Sequence, residues 1–302
     1  MEINQTNQVM TDSASPSVWL VLAKEFMKDK IALFCLFFSI AMVITVFVWS
    51  SFLDVRDVTR VDLTQGRLPW GIGQEHGFIL GTDPGGRCVL MLLVYGARNS
   101  LIIAGGVAFA TMLFGTIIGL FSGFYGGHFD NVVMRIIDFL MMVPTLMVMM
   151  IIVTILPRNM GYLMLAFMIF GWIGSARSIR MMTLQQGALD YVKASKTLGT
   201  PNVVIIFREV VPNIVSFMIV SFTLTLAGTM GIETGLTMLG FGLPITTPTL
   251  GALLRWAMVP TDLQFRPWYW IPAGLFVLSM VLCINYVGQA IGRAADPRRR
   301  RA

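Results

Sequence analysis

Ile31 to Trp49 is a run of nineteen residues without one charge. A membrane-crossing helix needs about 20 mainly apolar residues, because each adds about 1.5 Å and the hydrocarbon layer is about 30 Å thick. Lipid offers no hydrogen bonds, so such a segment must satisfy its own backbone, which selects the α-helix. Further apolar runs fall near 99–126, 132–156, 161–176, 213–236 and 270–290, and with 31–52 they make six spans. The composition agrees: 56% of residues are hydrophobic and 13% are charged, against about 25% charged in soluble domains. The fold class predicted is an all-α membrane protein with six transmembrane helices.

The first thirty residues are polar, and no short apolar run ends in a small-residue cleavage site. Lys24, Lys28 and Lys30 precede the first span, which reads as an uncleaved anchor with its N-terminus inside. An even span number puts both termini on one side. On the proposed inner side lie those lysines, Arg135, Arg177, Arg180, Lys193, Lys196, Arg208, Arg293 and Arg298 to Arg301, 14 of the 22 basic residues. The outer bases share their longest loop with Asp54, Asp57, Asp62, Glu75 and Asp83. This bias predicts two cytoplasmic termini. It also explains the net charge of +6 without nucleic acid, since the bases border apolar spans.

The organisation expected is a cytoplasmic segment 1–30, a first span and outer loop 31–98, a core 99–291 holding a cytoplasmic loop 177–212, and a basic tail 292–302. Leu250 to Met258 is too short to span and is expected to lie against or dip into the outer face. Gly115, Gly119 and Gly123 in span two stand at four-residue spacing, which lets two helix backbones approach closely. Fixed packing explains them; a sliding surface would use the same spacing.

Arg135 and Asp138, three apart, share a helix face and are expected to pair. Glu233, near the outer end of span five, has two readings. An acid there faces a water-filled path, or it is held by backbone and loop groups that shape the helix end.

Enzyme patterns are missing. The chain has no His-Glu-x-x-His, the serine of "GLFSG" is one place late for Gly-x-Ser-x-Gly, and His76 and His128 are the two histidines. Cys35, Cys88 and Cys283 are widely separated, so a Cys/His metal site has little to draw on. No lysine follows a glycine, so there is no phosphate-cradling Gly-x-x-x-x-Gly-Lys-Ser/Thr. Any ATP used must be bound by another chain.

Between spans four and five runs "DYVKASKTLGTPNVVIIFREVVPN", Asp190 to Asn213. Tyr191, Ala194, Ser195 and Leu198 fall on one face of a short helix with a small-residue centre. Gly199 stops that helix, Thr200 is expected to cap a second with Pro201 at its first position, and Pro212 is expected to break the chain again before span five. A helix with so small a centre suits a cleft in another protein; an amphipathic linker on the lipid surface has the same periodicity.

This stretch resembles the cytoplasmic loop of bacterial ABC importer permeases, Glu-Ala-Ala, three residues, Gly, nine residues, Ile-x-Leu-Pro. Ala194, Gly199 and Pro212 match it, while Lys193, Ser195, Glu209 and Val211 depart from it. "LGTDPGGRCVLMLLVYGARNSL", "GFYGGHFDNVVMRIIDFLMMVPTLMV", "GIETGLTMLGFGLPITTPTLGALL" and the closing "DPRRRR" are similar to segments of the second, C-type, permease of dipeptide, oligopeptide and nickel importers. The resemblance implies a type I ABC importer permease fold with a cytoplasmic coupling helix, in the bacterial plasma membrane. Its partners would be a homologous B-type permease, two ATP-binding subunits and an extracytoplasmic solute-binding protein. Its substrate would be a dipeptide or oligopeptide, with nickel or another small solute as the alternative, and no cofactor is expected in this chain. By carry-over, Asp190, Tyr191, Val192, Lys193, Ala194, Ser195, Leu198, Gly199 and Pro212 belong to the ATPase-coupling element, and Glu233 lies in or beside the path. A self-contained channel or secondary transporter would leave the loop without a partner, and a membrane hydrolase lacks its motifs.

Overall fold

The computed structural model describes residues 18–70, 77–244 and 246–295. Most of the expected N-terminal segment, with Glu75, His76 and the arginines 298–301, lies outside the described residues. Helix α1 (Val18–Lys28) leads into α2 (Lys30–Ser51). Between them Asp29 accepts the N–H groups of Ile31 and Ala32, each at 3.1 Å, and so caps α2. α3 (Val55–Thr59) is a single turn in the following connection. Then come α4 (Val89–Tyr125), α5 (Gly127–Met142), α6 (Thr145–Ile155), α7 (Met160–Gly187) and α8 (Asp190–Thr197). α9 (Asn202–Phe241) carries π-turns at Ile206–Val210 and Thr237–Phe241, and the second is kinked at Gly240. Short helices α10 (Leu250–Leu254) and α11 (Pro260–Phe265) precede α12 (Ile271–Ala295).

Among the described residues, α2, α4, α7, α9 and α12 are long and apolar enough to cross a membrane, and the bent pair α5–α6, counted as one broken span, brings the number to six. The third apolar run, 132–156, bends by 81° between Met142 and Thr145. Pro144 stands at the bend, and a proline has no N–H to continue the helix ladder.

Three expectations are corrected. α4 begins at Val89, not 99, so the helix takes in Arg98 and shortens the outer loop. α7 runs to Gly187, so the short apolar run 161–176 extends past Ser178 as its length requires, and its arginines find partners on α5: Arg177 meets Asp138 at 3.1 Å and Arg180 meets Asp130. Asp138 therefore pairs across to α7, and Arg135 is exposed without an ion pair among the described residues. Pro212 does not break the chain. The wider π-turn just before it makes room for its ring, and α9 passes through as one helix.

The bundle is assembled through glycines. A Cβ on Gly115 would stand 2.6 Å from the Ser175 Cβ, on Gly119 2.5 Å from the Ala176 oxygen, and on Gly123 2.7 Å from the Arg180 oxygen. α4 and α7 therefore lie nearly backbone to backbone, the fixed packing that four-residue spacing permits. Val46, Leu92, Ala104, Met230, Phe276 and Met280 join α2, α4, α9 and α12 in one core. Asp29 accepts from Arg293 at 2.9 Å and so fastens the start of α2 to the end of α12. Leu250 and Leu253 of α10 are buried in the same core, so this short segment packs against the bundle.

Candidate functional site

α7, α8 and α9 meet at one end of the bundle, and α8 stands between the two long helices there. Gly199 ends it at φ +80, where its N–H reaches the Lys196 oxygen at 3.0 Å and Thr200 N–H reaches the Ser195 oxygen at 3.1 Å. A Cβ on Gly199 would touch nothing, so the left-handed backbone, not lack of space, asks for glycine. Pro201, rather than Thr200, occupies the cap position of α9 and makes no side-chain cap.

One residue roots α8. Val192 is wholly buried, packed with Phe124, Ile179, Ile205, Ile206 and Val210. Facing away, Leu198 is 85% exposed, Tyr191 39%, and Ala194 is exposed between them. The face predicted from periodicity is thus presented outward, except for Ser195. Ser195 is half-buried and donates its hydroxyl proton to Glu209 of α9. Lys196 places its ammonium 4.3 Å from the centre of the Phe124 ring, at the end of α4. Tyr191 donates to Gln186 Oε1 at 2.8 Å and accepts from Asn213 Nδ2 at 3.3 Å. Burial, and then the charge of Glu209, push the Tyr191 phenol up. Asp190 and Lys193 pair at 3.3 Å on the exposed side. Pro212 belongs to α9, just after its first π-turn.

Glu209 and Phe124 escaped the sequence reading, although Glu209 had been marked there by its departure from the pattern. A third group went unseen because its members are far apart in the chain. Asp130 is 6% exposed; it receives the Ser122 hydroxyl and both forks of Arg180, each at 2.5 Å. This knot joins α4, α5 and α7 at the α8 end.

At the opposite end Glu233 is fully buried. Ser100 donates to its Oε2 at 2.9 Å and Thr237 to its Oε1 at 3.0 Å. Ser100 in turn accepts the Leu250 N–H at 3.2 Å, and Asn99 Nδ2 donates to the Pro248 oxygen at 2.8 Å. Of the two readings of Glu233, the geometry matches the acid held by neighbouring hydroxyls. Its side chain reaches no surface of this chain. It joins three segments, 95–101, 231–243 and 248–254. Thr237 and Thr249 of those segments form part of the wall of a cleft of about 780 Å³.

Residues 115–301 match a family described as "Binding-protein-dependent transport system inner membrane component". The oligopeptide transport system permease protein OppC of Lactococcus lactis subsp. lactis (strain IL1403) is 40% identical, over 92% of this chain and 94% of that protein. OppC of Bacillus subtilis (strain 168) is 32% identical over 95% of this chain and 92% of its own length. The dipeptide transport system permease protein DppC of the same strain is 32% identical over 91% of this chain and 84% of its own. Among solved structures, the MetNI methionine ABC transporter in inward facing conformations shares the fold, with a TM-score of 0.54 at 17% identity. That match covers 68% of this chain and 97% of the other.

Proposed function

The chain belongs to the family of binding-protein-dependent transport system inner membrane components, and we propose that it is one half of the translocation pathway of an ATP-driven importer of dipeptides or oligopeptides. In this reading the α8 end faces the cytoplasm, as the bias of basic residues favours, and both termini lie on that side. Two ATP-binding subunits act there. A homologous B-type permease supplies the other half of the pathway, and an extracytoplasmic solute-binding protein delivers the peptide. The chain itself carries no catalytic residue and needs no cofactor.

The observation that carries this reading is the build of α8. Its root, Val192, is locked into a cluster shared by α4, α7 and α9, while Tyr191, Ala194 and Leu198 are left bare. A helix held so firmly on one side and unpartnered on the other is suited to pass a partner's movement to the bundle. The exposed centre is a methyl group, so a groove can close tightly over it. Ala194→Arg adds a long charged side chain there without disturbing Val192. ATPase subunits retained on the tagged chain are expected to fall by about tenfold, equivalent to about 1.4 kcal/mol, while membrane insertion is unchanged. Full retention together with normal uptake would remove α8 from the contact.

A further inference from the structure

The cleft at the end opposite α8 is lined from three directions. The turn just before α4 contributes Asp83 and Arg87, the α6–α7 connection contributes Arg158, and the end of α9 with the segment that follows it contributes Gly240, Arg255 and Trp256. Its volume, about 780 Å³, is within the span of roughly 300–1,000 Å³ common for small-molecule sites. Most of its remaining wall is apolar, including Met238, Leu243 and Met258.

Its charges do not balance. Asp83 is its one acid among the described residues, and it is fully buried. Asp83 accepts the N–H groups of Gly85 at 2.9 Å and Arg87 at 3.0 Å, Arg87 Nε at 2.8 Å, and the second fork of Arg87. Arg87 and Asp83 thereby neutralise one another. Arg158 and Arg255 are exposed, and neither has a carboxylate partner among the described residues. Arg255 lies over bare backbone. Its guanidinium carbon would be 3.8 Å from a Cβ on Gly240, which sits at φ +95 in the second π-turn of α9. Beneath this wall, the Glu233 hydrogen bonds fix Thr237 and the segment carrying Thr249.

We propose that this cleft is a carboxylate subsite in which Arg158 and Arg255 receive the terminal carboxylate of an incoming peptide while the apolar wall takes its side chains. The proposal rests on the reading of the chain as a peptide permease. A guanidinium matches a carboxylate with two parallel hydrogen bonds, and a concave wall of low polarity strengthens the field of an unpaired cation. The hollow form and apolar lining favour a small amphiphilic anion over a broad protein surface.

The test uses the complete importer with its solute-binding protein in proteoliposomes. One peptide is supplied with a free carboxylate and, separately, as its C-terminal amide, to the wild type, Arg158→Gln, Arg255→Gln and the double variant. The subsite predicts that kcat/KM for the free peptide falls about tenfold in the double variant, as for loss of a charge-assisted bond. The amide changes less than twofold, and Arg255→Lys recovers part of the loss. Equal losses for both peptides with a raised requirement for solute-binding protein would make the arginines a docking surface and overturn the subsite. Loss of the second permease from the purified complex would assign them to the subunit interface and overturn it equally. Unchanged uptake of both peptides would also refute it. A wild-type complex that carries neither peptide would remove the permease reading itself, a result distinct from any variant effect.

Discussion

The two departures from the family pattern at Ser195 and Glu209 are each other's partners. Where the pattern has Ala and Ile, this chain has a hydroxyl and a carboxylate that meet across α8 and α9. A hydrogen bond to a charged group contributes about 1.5–3 kcal/mol, and leaving one partner alone costs more than replacing both. Ser195→Ala is therefore expected to destabilise the chain by about 1–3 kcal/mol, seen as an earlier thermal transition. Ser195→Ala with Glu209→Ile restores the apolar pair and should recover most of that loss. A double-mutant cycle reads the coupling directly; strictly additive effects would mean that the bond contributes nothing. Lys193, the third departure, pairs with Asp190 on the exposed side of the same helix.

At the scale of elements, α4 and α7 are held by three glycines that admit no larger side chain. Gly119→Ala puts a methyl carbon 2.5 Å from the Ala176 oxygen. The helices must then separate, at a cost of about 1–3 kcal/mol. Gly105→Ala in the same helix meets nothing within 4 Å; it should be neutral, or stabilising by up to about 1 kcal/mol through helix propensity. Thermal unfolding in detergent distinguishes the two.

These glycines were legible in the sequence because four-residue spacing is local. So were the six apolar runs, the exposed face of α8 and the stop at Gly199. Element ends were less legible wherever a charge stood inside a helix. Arg98 stands just before the apolar run of α4 and lies over Tyr95, while Arg177 and Arg180 find their partners elsewhere in the chain. The Asp130–Arg180 pair spans 50 positions and the Ser100–Glu233 bond 133. Spacing along a chain carries no trace of such pairs. Pro212 misled for a related reason: a proline suggests a break, whereas a π-turn before it lets the helix continue.

Across the whole molecule, one carboxylate connects the first and last long helices. Asp29 caps α2 and binds Arg293 of α12. Its pKa is held below the ordinary value, first by the Ala32 N–H and, against the cost of desolvation, by Arg293 and the Ile31 N–H. A carboxylate depressed in the folded state adds stability that is present above its unfolded value, about 3.9. That stability is lost as pH falls through the lower folded value. Thermal midpoints of the wild type should therefore drop below about pH 4. Asp29→Asn, which keeps a cap but has no proton to gain, should show a shallower fall there; identical acid slopes would exclude Asp29 as a contributor. At the other end of the same bundle the Glu233 junction braces the cleft wall. The molecule thus has a rooted helix with one exposed face at one end and a cationic hollow at the other, with closely packed helices between them.

The most direct measurement is co-purification of ATPase subunits with the tagged chain, wild type against Ala194→Arg, paired with ATP-dependent peptide uptake by the same preparations. The expected result is stoichiometric ATPase on the wild type, with retention lowered about tenfold in the variant and uptake falling with it, while the chain remains inserted and folded. A wild-type chain that never carries ATPase, or a variant that retains ATPase and transports normally, would contradict the role of α8 as the point where work enters the membrane bundle.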